Sequence, residues 1–395
     1  LDVGYRVRTL HGLAYDIVRE RPGLVGLAED FAIVDEREAS QILRDAVEAW
    51  VSANPDSLTR WLDPAIDERK ADWVRRDHWP RLVTDIALAF IGMAKDLQIT
   101  PDMALDILAE IEDDVPLLDM GFAIYADYQR SLNYRGAVDY DDLIRLALSA
   151  LQLDPDYLQR LRFRWPYILE DEAQDSSRLQ EEILRLLAGP NGNWVRVGDP
   201  NQAIYETFTT ASPRYLREFL ADAGVPARAL PHSGRSTASI MALANYLVEW
   251  SRSEHPVDAL RDALAPTRIE PTPPGDPQPN PPDAPEAIQL VGRKLTPDEE
   301  IEAVVRSIVQ WLPEHMDQTV AVLSPITDRG EKMADALRAR KIEVIEMLKS
   351  TRSTRDTAGA LGNIINYLAD PASPAKLARA YEVWRRADRE DPDLR

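Results

Sequence analysis

The sequence predicts an α/β protein, mostly helical overall, in which parallel-sheet units are interrupted by an all-α block. Two apolar runs carry the prediction. Residues 167 to 175, Tyr-Ile-Leu-Glu-Asp-Glu-Ala-Gln-Asp, break abruptly from a strand-like stretch into carboxylates, and Trp194 to Val197 opens into Gly198-Asp199-Pro200-Asn201-Gln202-Ala203-Ile204-Tyr205. Between them Ser177 and Gln180 form a capping box, Leu179, Ile183, Leu184, Leu186 and Leu187 mark one helical face, and Gly189-Pro190 ends the helix. The unit therefore reads β-α-β. Crossovers of this kind make neighbouring strands parallel, so Asp171, Glu172 and Gln202 are expected at the same edge of one sheet, where open α/β sheets place their ligands.

The remaining elements follow from local patterning. From about Glu36 to Arg135 the chain lacks strand alternation and reads as helices, with Trp50, Trp61, Trp73 and Trp79 among charged residues. Tryptophans at this spacing are more often core anchors than stacking platforms. Thr100 is a natural N-cap with Pro101 at the first helical position, and Met103, Ala104, Ile107, Leu108 and Ile111 form the expected apolar face. Nine prolines among residues 266–285 predict an extended loop or linker with no packed element. Beyond it Val320–Leu323 reads as a buried strand, Asp328 to Arg340 as a helix and Ile342 to Met347 as another strand, the start of a second parallel unit. Helix resumes from Thr357 to Leu368, halts at Asp370-Pro371 and restarts near Pro374.

Bulk properties narrow the function classes. A chain of 395 residues predicts two or three domains. The absence of cysteine excludes a disulfide framework or thiolate metal site and suits a reducing, cytoplasmic setting. No apolar stretch reaches the roughly 18 residues of a membrane span. A formal charge of −21 argues against a broadly basic nucleic-acid surface, so any DNA contact must be a narrow groove of stacking aromatics and a few local donors. Chemically, adjacent carboxylates at a strand end supply a ligand for Mg²⁺ and a base that polarises water. Asp171 is the candidate metal ligand and Glu172 the candidate base.

Both clusters resemble motifs II and III of the UvrD/Rep-type superfamily 1 DNA helicases. Four further matches follow in family order. Thr9-Leu10-His11-Gly12-Leu13-Ala14 resembles the Thr-x-His segment, Asp139-Tyr140-Asp141-Asp142-Leu143 the Asp-aromatic-Asp-Asp-Leu segment, Gly234-Arg235-Ser236 motif IV, and Asn363 to Pro371 the start of the second inserted domain. The resemblance implies RecA-like motor domains of the P-loop NTPase type, with boundaries at 1–35 and 137–230 for the first motor domain, 36–136 for a helical insertion, 231–356 for the second motor domain and 357–395 for a second insertion. It also implies ATP and Mg²⁺ as cofactors, single-stranded DNA and duplex junctions as partners, and 3′ to 5′ translocation in repair or replication.

Residue by residue, the resemblance assigns Gln202 to sensing the terminal phosphate and Arg235 to neutralising charge on it, a task for an always-charged planar guanidinium. Thr9 and His11 become candidate DNA-backbone contacts, and Tyr205 and Phe208 candidate stacking residues. Asp141 and Asp142 are expected to brace the DNA-binding loops, since like charges repel phosphate. Three positions depart from the family: Glu170 replaces an apolar residue, Gly234 an adenine-stacking tyrosine, and Thr207 a tryptophan. Glu170 is expected to face a basic neighbour. No Gly-x-x-x-x-Gly-Lys-Ser/Thr loop occurs, and the chain begins at Leu1, eight residues before Thr9. The expectation is a central piece of a longer helicase, inactive by itself, with motifs V and VI beyond Arg395. Two other readings are a non-hydrolysing helicase-like module that binds protein partners, and a helicase fused to a nuclease.

Overall fold

Thr9 opens the first element because its hydroxyl accepts the Gly12 N–H, closing the amino end of α1 (Leu10–Glu20). The computed structural model describes residues 5–63, 65–190, 192–203, 210–222, 224–347 and 352–384. By contacts the chain forms two units, Leu1–Pro285 and Glu286–Arg395.

In the first unit β1 (Ala32–Ile33) pairs in parallel with β2 (Ala137–Val138). Between these strands the described residues form helices joined by turns, among them α2 (Glu36–Ala53), α3 (Glu68–Trp73), α4 (Trp79–Asp96), α5 (Pro101–Glu110) and α6 (Pro116–Tyr134), and no strand. The helical block thus leaves and rejoins the rest of the unit through adjacent strands. Its core joins Ile42, Leu43 and Val47 of α2 to Val83, Ala87 and Ile91 of α4 and to Met120, Ile124 and Leu132 of α6. Each such side chain contributes about 1.5–3 kcal/mol when taken from water.

Two expectations for this block are corrected. Thr100 does cap α5, but only Ala104 of its predicted face is buried, because α5 packs mainly against α6 and leaves Met103 and Ile107 in solvent. Of the four tryptophans Trp79 is buried and Trp50 half-buried, whereas Trp61 and Trp73 are exposed.

The second core is built around α7 (Tyr140–Leu153), packed by α1, α8 (Pro155–Arg164) and α9 (Arg178–Ala188). Asp139 caps α7 by accepting the Asp142 N–H, and Asp154 caps α8. The Ser177–Gln180 capping box forms as the sequence predicts, with Leu179, Ile183, Leu184 and Leu187 buried. Flanking α9, β3 (Tyr167–Glu170) and β4 (Asn193–Arg196) pair in parallel, with Ile168 opposite Trp194 and Glu170 opposite Arg196. These apolar strands are only partly buried. Ile168 turns inward while Tyr167 and Leu169 stand 70% and 79% exposed, since α9 covers one face only.

After α10 (Pro213–Ala221) the chain forms β5 (His232–Ser233) and α11 (Ala238–Glu254). The proline-rich stretch is not a free linker. Within it β6 (Glu270–Pro271) pairs in parallel with β5, an edge pairing that tolerates a proline. Asn280 donates to the carbonyls of Ser233 and Ser236, and Asp283 accepts from the Ser239 N–H and hydroxyl, so the loop is bound along the start of α11.

In the second unit α12 (Pro297–Trp311) and α13 (Thr327–Ala339) bury Val305, Ile308, Met333 and Leu337 between them. The predicted strands Val320–Leu323 and Ile342–Met347 do not form: no ladder partner lies alongside them among the described residues, and most of their side chains remain exposed. Two further helices, α14 (Arg352–Ala369) and α15 (Pro374–Trp384), meet each other around the predicted break at Asp370-Pro371.

Candidate nucleotide site and its surroundings

The parallel register of β3 and β4 brings their carboxyl ends together. The Val197 N–H donates to the Glu170 carbonyl at 2.8 Å, and the Ala173 N–H to the Val197 carbonyl at 3.0 Å, carrying the ladder past the strands into the loops. Asp171 and Glu172 lie exposed at this tip, with the Asp171 carboxylate accepting the Glu172 N–H. Glu172 sits in the left-handed region at φ 53°, ψ 41°, a conformation that costs a non-glycine residue on the order of 1 kcal/mol and turns its side chain away from the strand line.

Gln174 ties the two tips together. Almost fully buried, it donates from Nε2 to Glu172 Oε2 at 2.6 Å and accepts the Asp199 N–H on Oε1 at 3.0 Å. Gly198 makes room for this bridge, since a Cβ there would stand 2.6 Å from Gln174 Oε1. Gln174 is named within the acidic motif, yet its bridging role escapes sequence reading because it depends on β4. Asp175 carries a buried Oδ1 with no hydrogen-bond partner among the described residues. Burial, then the nearby Glu172 charge, raises its pKa above the ordinary aspartate value.

Glu170 faces a basic neighbour. Arg196, wholly buried, holds Glu170 at 2.7 Å and Glu181 of α9 at 2.6 Å, and its guanidinium lies over the rings of Trp194 and Phe219. Ser176 and Trp194 donate the remaining hydrogen bonds to Glu170. A charge that replaces an apolar residue is thereby fully partnered between the two strand tips and the helix that joins them.

On the second tip Gln202 donates to the Asp199 carboxylate at 3.0 Å. Asn201 clamps residues further along the chain: its Oδ1 accepts the Ala265 N–H at 2.7 Å while Nδ2 donates to the Ala265 carbonyl and to Thr267 Oγ1. Thr267 leads into β6 and thus to β5. Arg235, just past β5, is exposed and makes no ion pair or side-chain hydrogen bond among the described residues. At Gly234 a Cβ would stand 2.1 Å from the Gln278 carbonyl oxygen. The proline-rich loop fills the space of any side chain there.

The amino-terminal candidates meet the Asp-Tyr-Asp-Asp-Leu segment. The His11 ring packs edge-on against Tyr140 at 5.5 Å, and burial lowers its pKa below the ordinary histidine value, which favours the neutral ring. Thr9 spends its hydroxyl on the α1 cap. Tyr205 and Phe208 lie outside the described residues. Asp142 is wholly buried, 3.1 Å from Lys95 of α4, and Asp139 is 2.5 Å from the same ammonium group and accepts the Tyr128 hydroxyl at 2.7 Å. Burial alone would strip the proton from Lys95, but Asp142 and Asp139 outweigh it and hold the group above the ordinary lysine value. Burial likewise opposes ionisation of Asp142, yet Lys95 and Arg145 hold it below the ordinary range. The sequence signal for Lys95 is its place at the end of a stripe that recurs every fourth residue along α4, Trp79, Val83, Ala87, Ile91, Lys95, otherwise apolar.

These strand tips define a protein built around an acidic loop and an amide-bearing loop at one parallel-sheet edge. Residues 4–223 match the family model described as UvrD/REP helicase N-terminal domain, and the chain belongs to that family. It is similar to DNA helicase II of Escherichia coli (strain K12), 29% identical over 247 residues that cover 62% of this chain and 30% of that protein. It is 30% identical over 251 residues to ATP-dependent DNA helicase UvrD1 of Mycobacterium bovis (strain ATCC BAA-935 / AF2122/97), covering 61% of this chain and 29% of the relative. Against ATP-dependent DNA helicase PcrA of Leuconostoc citreum the identity is 28% over 252 residues, 63% of this chain and 29% of the relative. The matches therefore span less than a third of the length of these relatives.

Proposed function

We propose that the chain is part of an ATP-dependent DNA helicase that moves 3′ to 5′ along single-stranded DNA toward duplex junctions, in repair or replication, in the cytoplasm. The observation that carries this reading is the Gln174 bridge, which joins an acidic strand tip to an amide-bearing one in a chain of the UvrD/REP family. No helix among the described residues is long and apolar enough to cross a membrane, which suits such a setting.

The residues fit a magnesium nucleotide. Two exposed carboxylates share one strand tip, and the partnerless buried oxygen of Asp175 belongs to the same loop, next to Gln174 and three residues from Glu172. Inside RecA-like motor domains Asp171 would hold Mg²⁺, which when bound would supply positive charge to the phosphates. Glu172 takes the proton of the attacking water on its carboxylate, and Gln174 fixes the orientation of that carboxylate. Gln202 reports the terminal phosphate through Asp199, whose backbone Gln174 already holds. Arg235 supplies positive charge to the phosphate. Thr9 and neutral His11 contact the DNA backbone, and Tyr205 and Phe208 stack on bases.

In the full-length gene product Glu172→Gln is expected to lower DNA-stimulated ATP turnover roughly a hundredfold or more while leaving ATP binding intact. Unchanged turnover would remove Glu172 from this role. Gln174→Leu should reduce kcat by about tenfold with little change in KM, because it frees the base without touching nucleotide; equal losses in both would reduce Gln174 to a structural part.

A further inference from the structure

The helical block carries a cleft that the nucleotide reading does not use. It is formed where the end of α2, the loop to α3 and the start of α6 meet the first turn of α4, and it has a volume of about 570 Å³. Three indoles wall it. Trp79 is buried and anchored by its Nε1–H to Ser57 Oγ at 3.3 Å, Trp50 is half-buried, and Trp61 stands 51% exposed at the rim. Asp56 and Asp119 also line it, and neither carboxylate has an ion pair or side-chain hydrogen bond among the described residues. The cleft's own cation, Arg60, is already matched to Asp114 at 3.2 Å.

From these residues we propose that the cleft receives an arginine side chain from an extended basic segment of a partner protein. Indole faces attract cations, and a guanidinium both stacks on them and sheds water more readily than an ammonium group. Two unmatched carboxylates beside aromatic walls complete its hydrogen-bonding fork. The volume falls within the roughly 300–1,000 Å³ of ordinary ligand pockets and admits one or two side chains. A purely apolar guest would desolvate Asp56 and Asp119 without compensation. Single-stranded DNA fits less well: stacking contributes about 1–3 kcal/mol per base, but the phosphates would lie against Asp56, Asp114 and Asp119, with Glu110, Glu112 and Asp113 close by in sequence. The arginine site is independent of the nucleotide reading and stands or falls separately from it.

The test is fluorescence anisotropy of a labelled short glycine–arginine peptide titrated with the 395-residue chain. Saturable binding is expected. It should weaken roughly tenfold in the Asp56→Asn/Asp119→Asn double variant and about fivefold in Trp61→Ala, with circular dichroism showing an intact fold. Asp85→Asn, the same kind of charge change on the exposed side of α4, should leave affinity unchanged. Absence of saturable binding, or an equal loss in Asp85→Asn and the cleft variants, would overturn the proposal. So would a labelled oligothymidylate whose affinity falls in Trp61→Ala, since that result assigns the cleft to a nucleic-acid strand.

Discussion

Two buried ionic clusters hold the first unit together, and they are built on different logic. Lys95 of α4 lies between Asp139 and Asp142 and fastens the helical block to α7. Arg196 of β4 lies between Glu170 and Glu181 and fastens two strand tips to the helix between them. In the first cluster an acid serves two masters, because Asp139 also caps α7. In the second, every carboxylate oxygen that meets Arg196 belongs to a residue free of backbone duties, and Glu181 has Arg185 as a second partner at 2.6 Å. Where a buried charge also closes a helix, replacing the cluster removes a cap as well; where its carboxylates accept only from side chains, as at Glu170 with Arg196, Ser176 and Trp194, an apolar pair of similar bulk can more readily take its place.

That contrast can be broken most forcefully at Lys95. Lys95→Met leaves two carboxylates in the interior and should cost about 3–5 kcal/mol, read as a fall in the urea midpoint. A loss under about 1 kcal/mol would show the joint to be redundant. Arg196→Leu alone should cost nearly as much. The double variant Glu170→Leu/Arg196→Leu, however, should return to within roughly 1–2 kcal/mol of the parent, as apolar replacement of a buried pair often does. Failure of the double variant to recover would place the two clusters in one class.

Acidity sharpens the comparison with a smaller effect. In the parent, the Asp142 carboxylate is held below its ordinary value of 3.8, so its contribution is present above that pH and lost as pH falls through the depressed value. Lys95 is held above its ordinary 10.5, so its share persists below that pH and disappears as pH rises through the elevated value. Stability from this joint should be flat between those limits. In Lys95→Met burial is opposed only by Arg145 and the Gln129 amide, so the Asp142 carboxyl moves up relative to the parent and the variant should lose stability relative to the parent as pH rises above the parent's depressed value. Parallel pH curves for parent and variant would refute the assignment.

How much was legible in the sequence follows from the same contrast. The capping box at Ser177, the strand end at Glu170, the apolar run from Trp194 to Val197 and the acidic tip at Asp171 are local patterns, and the structure builds the β-α-β unit around them, with the second strand at Asn193–Arg196. A basic neighbour for Glu170 was legible as a need, but its identity was not, because Arg196 is brought opposite only by parallel register. Lys95 is legible only as the last member of the stripe that runs every fourth residue along α4. Val320–Leu323 shows the opposite failure: an apolar run satisfies strand propensity, but a strand also needs a neighbour, and propensity does not supply one.

The carbonyl of Gln278 pressed against Gly234 has a practical corollary for protein engineers. Transplanting a tyrosine-bearing motif IV from a relative into this chain would thrust the ring into the proline-rich stretch, so a chimera must exchange residues 266–285 along with the motif. The two segments are separate in sequence and inseparable as cargo.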